Sequence, residues 1–306
     1  MILERIEALA ADHGVRLKRD QSLARFTFFG VGGPMRALLC PTSLASLPGL
    51  LHDLHGENLS PRILGCGTNL VASDRPFEQP IIYMGDLHQE EPRFEDNMVT
   101  VSAGFRLPAL VRRTMHQGFG GLEFAEGIPG TVGAALVINA GSFGGSIGDH
   151  VEWLRLVDMD GKEQILHPKP SDFAYRGSTF VGKGLILDAA LRLQPDDETA
   201  IRGRLDDIRA RRRESQPLKE RSAGCIFKNP PGESAGRIID ELGLKGKRRG
   251  GAVVSEVHAN FIVNRGGATA ADILGLMKEV KSAVERATGL VLEEEVALWE
   301  PSGEDA

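Results

Sequence analysis

Glu126-Gly-Ile-Pro-Gly-Thr-Val-Gly133, followed closely by Asn139-Ala-Gly-Ser-Phe-Gly-Gly145, is the densest glycine run in a 306-residue chain that holds 37 glycines. Backbone without side chains approaches a ligand closely, and successive exposed N–H groups form a nest for phosphate oxygens. The same residues also make ordinary turns, because glycine supplies positive φ. Two further clusters lie upstream, Gly30-Val-Gly-Gly33 and Gly65-Cys-Gly-Thr-Asn69, the second directly after β-type Arg62 to Leu64. Three clusters in one region tilt the reading towards a diphosphate-bearing cofactor. Neither common nucleotide fingerprint is present: no cluster ends in Gly-Lys-Ser/Thr, and Gly65-Cys-Gly67 lacks the third glycine that opens a helix.

Around these clusters, from Phe26 to Leu193, short β-type runs alternate with two helical patterns, Leu44 to Leu54 and Leu107 to His116. That mixture predicts an α+β fold. A hairpin is expected between Val151 to Met159 and Glu163 to Leu166, turning at Asp160-Gly161. Composition becomes polar from Gln194 to Glu198, and Ile201, Leu205 and Ile208 then recur at helical spacing. The change places a domain boundary there, dividing the chain into 1–195 and 196–306. In the second part a helix is expected near Ser234 to Leu242, with strands around Val253 and Phe261. Thr269 and Asp272 form a capping box ahead of an apolar stripe of Ile273, Met277, Val280, Val284 and Ala287 that stops at Gly289. A final strand is expected from Leu290 to Trp299.

Apolar residues make up 42% and charged residues 25%, which excludes disorder and disulfide-dense miniproteins. With 36 basic and 42 acidic residues the net charge is −6, so nothing global drives binding to nucleic acid or anionic lipid. Cys40, Cys66 and Cys225 are far apart and form no Cys-x-x-Cys pair, which fits a reducing compartment and gives no metal site. Near the N-terminus Ile2, Ile6 and Leu9 are interrupted by Glu4, Arg5 and Glu7, unlike a signal peptide. No apolar run approaches the roughly 18 residues that span a bilayer. The expectation is a soluble cytoplasmic protein, monomeric, with neither membrane nor nucleic acid as partner.

Several smaller features carry two readings each. Gly144-Gly-Ser146-Ile-Gly148 matches Gly-x-Ser-x-Gly, but a β-like segment follows where a nucleophile elbow needs a helix, so Ser146 reads as loop. His52 and His55 have metal-ligand spacing but no third ligand nearby, and read as surface histidines. Arg209 to Arg213 and Lys245 to Arg249 are either solvated cations or phosphate contacts. Tyr175-Arg176 puts a fixed cation on a short turn, either a carboxylate clamp or an ordinary surface arginine. Ser222-Ala-Gly-Cys-Ile-Phe-Lys-Asn-Pro230 presents a thiol that is either structural or reactive. On the last strand, period two puts Glu294 on the face of Leu292, Val296 and Leu298, with Glu295 opposite.

Taken in order, these segments resemble the UDP-N-acetylenolpyruvoylglucosamine reductase family. The resemblance runs from about residue 20 to 300 and rests on Phe29-Gly-Val-Gly-Gly33, Leu64-Gly-Cys-Gly-Thr-Asn-Leu70, Gly127-Ile-Pro-Gly-Thr-Val-Gly133, Asn139-Ala-Gly141 and Tyr175-Arg-Gly-Ser178. It continues through Ser222 to Pro230, His258-Ala-Asn-Phe-Ile-Val-Asn264 and Leu292-Glu-Glu-Glu-Val296. It implies a two-part FAD-binding α+β unit of the vanillyl-alcohol-oxidase type and a C-terminal substrate domain. The chain resembles the shorter subgroup, without an inserted tyrosine-bearing loop.

Further roles follow from the resemblance alone. FAD would be held by Gly65, Cys66, Gly67, Thr68 and Asn69, by Ile128, Pro129, Gly130, Thr131 and Gly133, and by Asn139, Ala140 and Gly141. NADPH would reduce the flavin. The enolpyruvyl sugar nucleotide, UDP-N-acetylglucosamine enolpyruvate, would then accept hydride at C3 and a proton at C2, giving UDP-N-acetylmuramate for peptidoglycan. The family's arginine and glutamate map onto Arg176 and Glu295, placed to stabilise the enolate-like intermediate. Its usual proton donor is a serine, and Cys225 stands at that position. A thiol of ordinary pKa about 8.5 is a stronger acid than a hydroxyl and stays mostly protonated at neutral pH, so it can donate. Tyr175, Lys228, Asn229, Gln216 and Lys219 would contact the substrate. Phe28 departs from the family's usual Asn-Thr-Phe, while Phe29 keeps it. Two rival readings are a flavin oxidoreductase of the same fold with another substrate, and a non-catalytic module that binds nucleotide or nucleic acid through the basic clusters.

Overall fold

Apolar residues along Val151–Val157, Leu185–Arg192 and Met98–Ser102 build the centre of a five-stranded antiparallel sheet, closed at its edges by Glu163–Leu166 and Arg93–Glu95. Leu185–Arg192 lies in the middle and is buried on both faces, as a central strand should be. Opposite it, Arg155 grips Asp188 through two hydrogen bonds, Nε to Oδ1 at 3.0 Å and Nη2 to Oδ2 at 2.6 Å. The computed structural model describes residues 2–87 and 91–301.

Helix Leu107–His116 turns Leu107, Leu110, Val111 and Met115 into the core that this sheet lines with Val99, Val101, Leu154, Leu156 and Leu191. A second sheet runs in the order Arg16–Ser22, Pro34–Cys40, Ile81–Tyr83, Arg62–Leu64, the last two pairings parallel. Helices Ile2–Asp12 and Leu47–Gly56 contribute Ile6, Leu47, Leu50 and Leu54 to the core beside it.

Two compact units divide the chain. One takes the chain up to Arg19, with Ala37–Cys66 and Gln79–Arg211; the other takes Asp20–Arg36, Gly67–Glu78 and the chain from Arg212 onward. The second unit is thus assembled from three separate stretches. Its core joins Phe29, Val31 and Val71 to Ile226, Phe227, Val254, Ile273 and Val280. Strand Leu70–Ala72 pairs in parallel with Ala297–Trp299. Helix Ala270–Thr288 begins at the Thr269–Asp272 capping box and stops at Gly289, which takes φ +76°. Both ends were expected from local chemistry.

Three expectations need correction. The first hairpin strand ends earlier than predicted, at Val157, which pairs with Glu163 at the start of the second strand, Glu163–Leu166, so the connection spans 158–162. There the Asp158 carboxylate accepts from the N–H of Asp160 (3.0 Å) and Lys162 (2.9 Å), holding a longer loop than a two-residue turn. The last strand is only Ala297–Trp299, and Glu294 makes an isolated bridge to Phe227 ahead of it. Leu292 and Val296 are buried but Leu298 is 45% exposed, so the single period-two face does not hold across the stretch. Finally, the glycine-rich segment encloses a short helix, Val132–Val137, begun by Thr131, whose Oγ1 accepts from Ala134 N–H at 3.4 Å.

Candidate active site

In the first unit the segment 127–133 is stapled to the residues just before helix Leu107–His116. Leu107 N–H donates to Gly130 O (3.0 Å), Val132 N–H to Phe105 O (2.9 Å) and Gly133 N–H to Ala103 O (2.8 Å). Those bonds use up the N–H groups of Val132 and Gly133. Among the described residues the N–H groups of Gly130 and Thr131 have no acceptor, and Gly130 sits at φ +128°. Two adjacent unused donors on a loop of this shape suit an anionic oxygen. Ile128 N–H bonds Ala125 O (3.0 Å), and Pro129 lies between them and the free donors. A Cβ on Gly65 would stand 3.0 Å from Thr131 Oγ1, so Gly65 and the 127–133 segment approach closely here. Next to Gly65, Cys66 Sγ accepts from Arg106 Nη1 at 3.5 Å. Burial pushes the Cys66 thiol up, and the nearby Arg106 charge works against that shift. Arg106 is a site neighbour that no sequence motif announced.

Asn139 is 92% buried by its 8% exposure and stands at φ +45°. Its side chain is committed internally: Nδ2 donates to Ala174 O (3.0 Å) and Oδ1 accepts from Gly148 N–H (3.0 Å). Ala140 is buried, and the carbonyl of Gly141 accepts from Arg176 Nη1 at 2.7 Å. Arg176 itself lies at the tip of the Phe173–Ala174/Gly177–Ser178 hairpin with φ +57°, a conformation costly for a side-chain-bearing residue. The Asn139–Gly141 segment therefore fixes both the hairpin and its guanidinium. Tyr175, 55% exposed, places its ring 5.3 Å from Arg176 Cζ.

In the second unit Gly67 stands at φ +60°, and a Cβ there would meet Phe26 O at 2.0 Å, so only glycine fits. Thr68 and Asn69 continue into strand Leu70–Ala72. Asn69 Nδ2 donates to Glu295 O at 3.1 Å, tying the glycine cluster to the glutamate segment. Phe29 is wholly buried and its carbonyl accepts from Asn264 Nδ2 (2.8 Å), whereas Phe28 is 50% exposed.

Cys225 follows Gly224, at φ +80°, and is half-buried ahead of the fully buried Ile226 and Phe227. Glu295 N–H donates to Ile226 O at 2.7 Å, which sets Cys225 and Glu295 on neighbouring extended segments. Lys228 N–H bonds Glu293 O (2.8 Å), and its Nζ reaches Glu293 Oε2 at 3.3 Å. Glu294 pairs with Lys281 at 2.8 Å. Asn229 Oδ1 accepts from Ala235 N–H (3.0 Å) at the start of helix Ala235–Glu241. Gln216 Oε1 accepts from Arg212 Nη1 at 3.3 Å, and Lys219 is exposed.

The remaining features take the plainer of their two readings. Ser146 ends the short strand Gly145–Ser146, and a 3-10 turn, Ile147–His150, follows it in place of the expected β-like segment; the Ser146 N–H and Oγ–H both donate to Asp149 Oδ2 (2.9 and 2.8 Å). His52 and His55 bond the carbonyl and carboxylate of Asp160 at 2.9 and 2.7 Å. Among the described residues no group of three or more histidines, cysteines or acids is placed to hold a metal, and no helix is long and apolar enough to cross a membrane. Several cations of the basic clusters are paired: Arg209 with Glu126 and Asp206, Lys245 with Asp240, and Lys247 and Arg249 with Glu279.

His258 bears on the same region, since its Nδ1 accepts from Asn260 N–H at 3.2 Å. Burial lowers its pKa, and Lys245 adds to the effect. A histidine whose folded pKa is depressed leaves the unfolded chain binding more protons, so stability falls as pH drops below the unfolded value of about 6.5. His258→Asn, which keeps an acceptor but cannot titrate, is expected to lose less stability than wild type on acidification from neutral pH through that window. Urea midpoints of both proteins across the range check this; parallel curves would remove His258 from the balance.

Family models place this chain among known proteins. Residues 35–166 match the FAD binding domain, and residues 216–299 match the UDP-N-acetylenolpyruvoylglucosamine reductase, C-terminal domain. The UDP-N-acetylenolpyruvoylglucosamine reductase of Moorella thermoacetica is 41% identical over 96% of this chain and 98% of its own length. The reductase 2 of Symbiobacterium thermophilum is 42% identical over 97% and 96%. The crystal structure of the enzyme from Thermus caldophilus, 36% identical, superimposes with a TM-score of 0.81 over 94% of this chain and all of the other. The α+β architecture, the FAD-binding segment and the near-complete coverage agree, and the chain belongs to the UDP-N-acetylenolpyruvoylglucosamine reductase family of flavin-dependent oxidoreductases.

Proposed function

We propose that this chain reduces UDP-N-acetylglucosamine enolpyruvate to UDP-N-acetylmuramate for peptidoglycan, working as a cytoplasmic monomer, with Arg176, Cys225 and Glu295 carrying the chemistry. The observation that supports the reading most is the 2.7 Å bond from Glu295 N–H to Ile226 O, which lays the segment that carries Glu295 beside the one that opens with Cys225. The unused N–H groups of Gly130 and Thr131 and the close approach at Gly65 fit a diphosphate-bearing flavin. FAD, when bound, takes a hydride equivalent from NADPH and supplies it to the vinylic C3 of the substrate.

The chain's own residues do the rest. Cofactor contacts come from Gly65 to Asn69, Ile128 to Gly133 and Asn139 to Gly141; the nucleotide sugar is held by Tyr175, Gln216, Lys219, Lys228 and Asn229. As hydride reaches C3, negative charge grows at C2 and spreads into the substrate carboxylate. The Arg176 guanidinium, already oriented by Gly141 O, meets that charge without reorganising. Glu295 would stabilise the same enolate-like charge by donating a hydrogen bond from its protonated carboxyl. Cys225 Sγ–H then delivers the proton to C2, and the resulting thiolate is reprotonated from solvent.

Purified protein is expected to carry flavin absorbance near 450 nm, on the order of one equivalent per chain. Under anaerobic conditions NADPH should bleach that band and the enolpyruvyl nucleotide should restore it. Colourless protein, or a reduced band that the nucleotide fails to reoxidise, would defeat the proposal. The second outcome would favour a flavin oxidoreductase with another substrate.

A further inference from the structure

Cys225 opens a short extended segment with neighbours on both sides. On one side Glu295 N–H donates to Ile226 O (2.7 Å) and Lys228 N–H to Glu293 O (2.8 Å), so Phe227 N–H and C=O point away from that neighbour. On the other side Cys225 bridges Phe261, and Ile226 N–H donates to Asn260 O at 2.8 Å. A regular ladder bonds alternate residues on one side, so after Ile226 it would pass over Phe227. The Asn260 side chain takes up these out-of-phase groups: Oδ1 accepts from Phe227 N–H at 3.0 Å, and Nδ2 donates to Phe227 O at 2.7 Å.

A carboxamide carries an acceptor oxygen and an NH2 donor on one side chain, and so can meet the N–H and C=O of one residue together. Asn260 is 3% exposed and Phe227 1%, so water has no access to take over either bond. Asn260 is also held in place: its own N–H donates to His258 Nδ1 (3.2 Å). The peptide groups of Ile226 and Phe227 are thereby fixed immediately after the residue that delivers the proton.

We propose that Asn260 is a positioning residue for proton transfer, setting the register of Cys225 against Glu295 through its two hydrogen bonds to Phe227. The inference rests on the function proposed above and adds a residue to it. Asn260 touches neither flavin nor substrate in this account, so its effect must appear only in the step that uses Cys225. Proton transfer depends steeply on donor placement, and an error of about 1 Å can cost on the order of 10²-fold in rate.

The test uses flavin-loaded Asn260→Ala and Asn260→Asp, with the two half-reactions followed separately by anaerobic stopped flow. Asn260→Asp, kept neutral by its burial, retains an acceptor for Phe227 N–H and an O–H donor for Phe227 O, so the test does not depend on the alanine variant folding. Reoxidation by the enolpyruvyl nucleotide is expected to slow by about 10²-fold in Asn260→Ala and by less in Asn260→Asp. Flavin content and reduction by NADPH should stay at wild-type levels in both. Unchanged reoxidation, or an equal loss in both half-reactions, overturns the inference. Wild-type protein that the nucleotide cannot reoxidise would instead sink the proposed function itself.

Discussion

Cys225→Ala is expected to slow reoxidation of the reduced flavin by the enolpyruvyl nucleotide by about 10² to 10⁴-fold, the usual contribution of a positioned general acid. Reduction by NADPH should be untouched, because no proton is passed to C2 in that half. Cys225→Ser should retain most activity, since it restores an O–H donor at the same place. Backbone bonds between Ile226, Asn260 and Glu295 hold this segment, so trimming Sγ leaves its support standing. Cys225 belongs to no disulfide and is only half-buried, which keeps the packing cost of truncation small. Stopped-flow traces of the two half-reactions measure the outcome. Normal reoxidation in the alanine variant would make Cys225 structural and send the search for a donor elsewhere.

Arg176→Met should lower the same half-reaction by about 10² to 10³-fold, in line with removal of one preorganised electrostatic group. Methionine keeps much of the side chain's length and apolar stem but removes the charge and the bond to Gly141 O. Arg176→Lys should fall between the two, because a single ammonium cannot reproduce a planar guanidinium that donates to Gly141 O and, in the proposed mechanism, also meets the substrate's developing charge. Since Arg176 adopts φ +57° in both variants' parent backbone, neither replacement adds conformational strain of a new kind. A loss confined to KM, with reoxidation at saturating nucleotide unchanged, would mean that Arg176 binds substrate and does not stabilise the developing charge.

Local chemistry made much of this fold readable. The helix Ala270–Thr288 could be bounded at both ends, by the capping box at Thr269 and the left-handed Gly289, because each signal acts within one turn. Gly67 could be singled out because close backbone approach leaves a mark on composition; here the approach is to Phe26 O. The contacts around the site were harder to foresee. Asn69 and Glu295 are tied by a side-chain bond across 226 positions of chain, and no periodicity reports such a bond. Asn260 lay inside a motif that could be quoted, but an asparagine whose side chain bonds both backbone groups of a distant residue looks like any other asparagine in sequence. Glu293 to Glu295 fooled the period-two argument because the segment is held by a lone bridge and single backbone bonds, not by a continuous ladder.

The three-stretch assembly of the second unit has a consequence for biosynthesis. Phe29, Val31 and strand Leu70–Ala72 leave the ribosome long before Ile273, Val280 and Ala297–Trp299 are translated, yet they share one core and one strand pairing. At about 5–20 residues per second, those early apolar segments wait some ten seconds or more without their mates. Nascent chains stalled short of the Ala297–Trp299 codons would expose that unfinished surface to chaperones and proteases, however completely the other unit had already folded.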